Sequence, residues 1–280
     1  MMRIVMSHPG LRSAAACLSV GGLIVALSLA PATASTPAPG LIGSAIVSQG
    51  AFGTIKGRLV WGAATAPEPK KLDNKAKDPE VCGKVQLFDQ GLKIDPKSLG
   101  IEYGYAYLVT PKGANPKAIE ELIAKSPTVE IDQKGCEFIP HSVALLDKQA
   151  LVFKSSDAVG HNVRFTGFSN SGLNQAVSPG GQYEVKNLVA EKRALPLQCD
   201  IHPWMSGNIM IFNHPFFAVT GADGSFEIKG VPAGTQSLIV WQQKAGYVTI
   251  GGTKGVPIEV TAGKTTDIGE VKLDPTKVKN

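Results

Sequence analysis

The 280-residue chain lacks a strong charge of either sign: its formal net charge is +5, and the basic residues are dispersed. That excludes the clustered basic footprint of a nucleic-acid binder. None of its four cysteines, Cys17, Cys82, Cys136 and Cys199, forms a close C-x-x-C pair, which disfavours a zinc ribbon. No apolar run after the first 34 residues is long enough to span a bilayer. Helix signals are also scarce. Asn115-Pro116 ahead of Lys117–Ile123 offers the single good one, an N-cap followed by proline at the first helical position. At 43% hydrophobic residues the chain is too apolar for disorder, and it is too long for a disulfide miniprotein.

What is present is short apolar runs rich in Val, Ile and Thr, punctuated by 31 Gly and 19 Pro, and this favours many short strands joined by turns. Residues 1–34 read as a signal peptide. Arg3 and Arg12 make a basic start, Ala14–Ala30 is apolar and uncharged, and Ala32-Thr33-Ala34 is an A-x-A cleavage signature. Cleavage after Ala34 is expected over retention as an anchor, leaving no stable membrane span. Cys17 precedes the apolar stretch and so does not read as a lipidation site. The expected location is the periplasm or outside the cell, where disulfides persist.

Residues 35–52 read as a flexible linker, and 53–126 as an N-terminal β-rich region. That region opens on the alternating segment Thr54–Trp61 and includes Tyr103, Tyr105 and Tyr107, which read as one strand face. Strands and turns continue through 127–213. From 214 to 274, strand-like runs are separated by Ala222-Asp223-Gly224, Pro232-Ala233-Gly234 and Thr261-Ala262-Gly263, and this tail reads as a separate small β-sandwich. Cys82 and Cys136 are expected to pair, tying the N-terminal region to the 127–213 region. The loop so closed is long, worth about 4 kcal/mol in the chain-entropy model. A second metal site using Cys82, Cys136 and His141 is the alternative. His141 and His214 otherwise read as structural.

The stretch that carries chemistry is Cys199-Asp200-Ile201-His202-Pro203-Trp204-Met205, which sets a thiolate, an imidazole and a thioether at C-x-x-H-x-x-M spacing. A second imidazole, His161, stands at the head of a strand upstream. A soft thiolate, two imidazoles and a weak axial thioether together select copper. They converge only if the loop folds back sharply and His161 arrives from a neighbouring strand. Pro203 and Trp204 read equally as loop packing and as an apolar docking patch around an exposed edge of His202.

This pattern resembles the cupredoxins, the blue or type 1 copper proteins, over residues 127–213, with a short ligand loop most like the amicyanin type. The resemblance implies an all-β fold: a Greek-key cupredoxin sandwich, here with an N-terminal β-rich extension and a C-terminal small β-sandwich. It implies one type 1 copper held by His161, Cys199, His202 and Met205, with Asn162 steadying the ligand loop from behind. It also implies electron transfer to and from a redox protein, without catalysis. The segment Val219–Thr235 resembles the carboxypeptidase regulatory-like β-sandwich, a module without catalytic residues. Copper storage or delivery, and a surface interaction module with structural copper, are the alternatives. A two-centre copper nitrite reductase is disfavoured, because only His141 and His214 remain for a second site.

Overall fold

The computed structural model describes residues 51–279. Cys17, the cleavage site at Ala34 and nearly all of the expected linker lie outside the described residues. Phe52, placed in that linker, is the first residue of a strand. No helix among the described residues is long and apolar enough to cross a membrane.

The fold is nearly all β, as expected, and consists of two sandwiches packed face to face. The first sandwich carries the motif. Its outer sheet orders Gln182–Val185, Ala150–Ser155, Thr128–Lys134 and Glu137–Ile139, and its inner sheet orders Leu173–Val177, His161–Phe165, Leu195–Gln198, Ser206–Phe212 and Ser142–Leu146. Between them lies a core that includes Ile131, Phe138, Leu145, Phe153, Val163, Leu197 and Ile209.

The second sandwich is not confined to the tail, which corrects the expectation of a separate C-terminal unit. The strand Phe52–Trp61 lies between Ser225–Pro232, antiparallel to it, and Thr265–Leu273, parallel to it. In the facing sheet, Tyr105–Leu108 lies between Phe217–Val219 and Gly234–Gln242. N-terminal and C-terminal segments thus share one core, with Ile55, Leu59 and Ile101 packed against Phe226, Val231 and Leu238. The physical reason is that the tail strands alone would leave their apolar faces open. The turn at Asp223-Gly224 shows how tight the join is. Gly224 has φ 78° and its carbonyl accepts from the Leu59 amide at 2.8 Å, and a Cβ there would lie 2.1 Å from the Leu59 carbonyl oxygen.

The two sandwiches meet through a third apolar layer of Tyr105, Tyr107, Met210, Phe212 and Ile239. That layer explains the continuous run Ile209-Met210-Ile211-Phe212: Ile209 and Ile211 enter the first core while Met210 and Phe212 face the second sandwich. Tyr105 and Tyr107 share this face, and the Tyr105 hydroxyl donates to the Val143 carbonyl at 3.0 Å. Tyr103 falls outside the strand, in a left-handed conformation with φ 68°. The helix Pro116–Lys125 forms where expected, with the Asn115 side chain accepting from the Ala118 amide at 3.1 Å.

The excursion from 62 to 100 runs from the second sandwich to the first and back. Its short helix Pro79–Cys82 ends in the disulfide Cys82–Cys136, with Cα atoms 5.3 Å apart. Asn74, buried to 1%, organises it: its amide nitrogen donates to the carbonyls of Cys82 and Val85, and its oxygen accepts from the Leu87 amide. His141 is buried with Nε2 2.6 Å from Gln243 Oε1, a structural role that joins the two sandwiches.

His214 sits at the same seam, between Phe212 and Phe216. Burial holds it neutral and pushes its pKa from 6.5 down to about 4. Burial lowers His141 as well, against its hydrogen bond to Gln243. A histidine whose pKa falls on folding adds stability above its unfolded value and loses it as pH drops toward the folded one. Urea unfolding of the metal-free protein is therefore expected to weaken between about pH 6.5 and 4. The variant His214→Gln should flatten that slope; an unchanged slope would place the acid sensitivity elsewhere.

Candidate metal centre

The seven-residue loop from Cys199 to Met205 connects two neighbouring antiparallel strands, Leu195–Gln198 and Ser206–Phe212, so it must reverse direction. It does so through two backbone bonds: the Cys199 amide donates to the Met205 carbonyl at 3.2 Å, and the Met205 amide donates to the His202 carbonyl at 2.9 Å. His161 opens the adjacent strand His161–Phe165, which pairs with the same sheet. The three side chains His161, Cys199 and His202 are all buried, and their donor atoms lie within 4.8 Å of one another. Met205 is buried at the far end of the loop, in the core that also contains Cys199. Cys199 is the free thiol among the described residues, because Cys82 and Cys136 are bonded. That bond also removes Cys136 from any donor set with Asp157 and His161, and His141 belongs to no donor cluster among the described residues.

Asn162 follows His161 on its strand, and its side chain reaches the loop. Its side-chain oxygen accepts from the Asp200 amide at 2.7 Å, the Ile201 amide at 3.3 Å and the Cys199 thiol at 3.3 Å. Its amide nitrogen donates to Asn174 and Asp200, and Asp200 also accepts from Arg164 Nε at 2.6 Å. The loop is thus pinned from the neighbouring strand before any ion is considered.

Two carboxylates complete the centre. Asp157 Oδ2 lies 2.9 Å from His161 Nε2, and Asp78 Oδ2 lies 2.9 Å from His202 Nε2. Asp157 is itself held by the amides of Gly135 and Cys136, at 2.6 and 2.8 Å. A carboxylate accepts, so each ring nitrogen facing one carries a proton. The two Nδ1 atoms then face each other at 2.9 Å. Two neutral rings would present lone pair to lone pair there, an arrangement that needs one positive charge between them. In the metal-free protein that charge is a proton. Burial opposes it, but hydrogen bonds to Asp157 and Cys199 prevail and push His161 up to about 9. Burial would raise the Cys199 thiol, yet hydrogen bonds from His161 and from the loop amides bring it below its ordinary value. Burial and the neighbouring His161 charge keep His202 low despite Asp78. A buried sulfur and two inward-facing imidazole nitrogens are a donor set that fits a soft or borderline cation taking the place of the thiol proton and the shared imidazole proton.

One expectation is corrected. The His202 ring has no exposed edge: its side chain is 0% exposed, with Asp78 against Nε2 and Trp204 packed 5.2 Å away. Trp204 is half-buried and donates its indole N–H to the Cys136 carbonyl, while Pro203 and Ile201 reach the surface. Neither carboxylate was assigned a role from sequence. Asp157 stands four residues before His161, a spacing that was visible. Asp78 lies 124 positions from His202, and no local pattern marks it.

No family model matches this chain, and no curated protein does. Solved structures similar to part of it include a copper-containing nitrite reductase from Thermus scotoductus SA-01, at 17% identity over 30% of this chain and 22% of that one, with a TM-score of 0.28. The match therefore spans about a fifth of the reductase. A reduced Cu(I) form of an amicyanin variant matches at 17% identity over 30% of this chain and 82% of its own, also with a TM-score of 0.28. A purple cupredoxin from Nitrosopumilus maritimus matches at 14% identity over 30% of this chain and 99% of its own, with a TM-score of 0.26.

Replacing Asn162 by Ala removes the acceptor of two loop amides. Metal-free Asn162→Ala should lose about 1–3 kcal/mol of stability in chemical denaturation, the cost of unpaired polar groups. Asn162→Asp, which keeps the acceptor, should lose less. Equal losses would mean that volume rather than hydrogen bonding matters at this position.

Proposed function

We propose that this chain is an exported one-electron carrier that holds one copper ion through His161 Nδ1, Cys199 Sγ and His202 Nδ1, with the Met205 thioether as a weak fourth donor. The observation that carries this reading is the pair of inward-facing Nδ1 atoms 2.9 Å apart beside the buried thiol, each ring locked from behind by a carboxylate. Copper, when bound, supplies a Cu(II)/Cu(I) couple and an intense thiolate-to-metal charge-transfer band in its oxidised form.

The chain's own contribution is to hold the donors before the ion arrives and to keep water out. Asp157 and Asp78 fix the tautomer of each ring, Asn162 and Arg164 brace the loop, and the apolar core excludes solvent. A centre whose three donors are all buried offers no solvent-facing position for a substrate, which favours a carrier over an enzyme. The same burial hinders metal release and weighs against storage or delivery. The partner in this reading is a redox protein. The second sandwich, completed by the N-terminal strands, serves as a regulatory-like scaffold without catalytic residues. Export accords with the signal-like first 34 residues and with the Cys82–Cys136 disulfide.

Copper-loaded, oxidised protein should show intense visible absorption that vanishes on reduction and is lost in Cys199→Ser; a colourless copper-loaded protein would defeat the proposal. Met205→Leu should keep the colour and raise the reduction potential, because a donor that stabilises Cu(II) is gone. A lowered or unmoved potential would remove Met205 from the ligand set.

A further inference from the structure

The excursion from 62 to 100 contributes nothing to the copper ligand set proposed above, yet it ends on that set. Asp78 stands at the N-terminus of the Pro79–Cys82 turn with φ 48° and ψ 54°, a left-handed conformation uncommon for any residue with a Cβ. Its carbonyl accepts from the amides of Val81 and Cys82, at 3.0 and 2.8 Å, and its carboxylate reaches His202 Nε2. Cys82 is bonded to Cys136, whose amide donates to the second carboxylate, Asp157. One disulfide therefore joins the backbone that carries Asp78 to the backbone that holds Asp157. Asn74, buried, draws the same segment together from inside.

The geometry points to Asp78 as a positioning residue for His202, held in place by a strap that the Cys82–Cys136 disulfide ties down. By accepting the Nε2 proton, Asp78 commits Nδ1 to the metal, and by covering the ring edge it keeps His202 in place once the ion is bound. Such partners of a metal-binding histidine typically contribute about 10- to 100-fold in metal affinity. This inference rests on the copper reading for its second half only, since the Asp78–His202 hydrogen bond exists without metal.

The test has a metal-free arm and a loaded arm. In 15N-labelled, metal-free mature chain, His202 should be a single Nε2–H tautomer whose proton exchanges slowly with water. Asp78→Ala should give mixed tautomers and fast exchange, whereas Asp78→Asn, which keeps an acceptor oxygen, should restore the wild-type signal. In copper-loaded protein, Asp78→Ala should hold copper about 10- to 100-fold more weakly against a competing chelator at equilibrium. Both variants should raise the reduction potential, because each removes a negative charge near the metal. The pair Cys82→Ser and Cys136→Ser together should move the His202 signal in the same direction as Asp78→Ala. An Asp78→Ala protein with the wild-type tautomer and exchange rate would overturn the positioning role, and a wild-type His202 signal in the double serine variant would overturn the strap. Protein that gives the expected metal-free spectra but no copper colour would overturn the copper reading and leave the hydrogen bond standing.

Discussion

Two imidazole nitrogens facing each other at 2.9 Å inside an apolar core form an arrangement that does not hold itself together. Each ring has its outer nitrogen committed to a carboxylate, so neither can turn its proton inward without giving up a buried hydrogen bond. The pocket therefore requires a cation between the rings, a proton in the metal-free protein or a metal beside the Cys199 thiolate. Most of the surrounding structure is placed to impose that requirement. The ligand loop is closed by its own backbone, Asn162 pins it to the adjacent strand, and Asp157 and Asp78 approach from opposite sides.

The cost of such a site is borne by packing. The first sandwich places its core directly behind Cys199 and Met205, and its inner sheet is covered on the far side by the second sandwich. Strands buried on both faces, such as Ser206–Phe212, hold their neighbours to one register, because a slip by one residue would exchange the residues of two different cores. The ligand loop grows from the end of such a strand.

The second sandwich has a positional role. It gathers the first and last described strands into a single sheet. Between its strands Phe52–Trp61 and Tyr105–Leu108 leaves the excursion that returns to cover His202. The excursion is anchored by a disulfide near its middle and by the second sandwich at both ends, and in this way a remote part of the chain supplies a carboxylate to the centre.

Local pattern in the chain is enough for the all-β character, the C-x-x-H spacing that brings Cys199 and His202 together, the helix after Asn115 and the pairing of Cys82 with Cys136. These are set by local periodicity, by short-range spacing, or by the parity of the thiols. Leu173–Val177 and Thr265–Leu273 are not legible in the sequence because each is an edge strand of its sheet with adjacent polar residues that blur the alternation, a weak apolar signal. That the tail shares its core with the N-terminal strands, that His202 is covered, and that Asp78 covers it are properties of the closed fold alone. Strand partnership between Phe52–Trp61 and Thr265–Leu273, and a hydrogen bond across 124 positions, depend on how two sandwiches close against each other. No local pattern records that closure, because the energy of burying two apolar faces together belongs to neither segment alone.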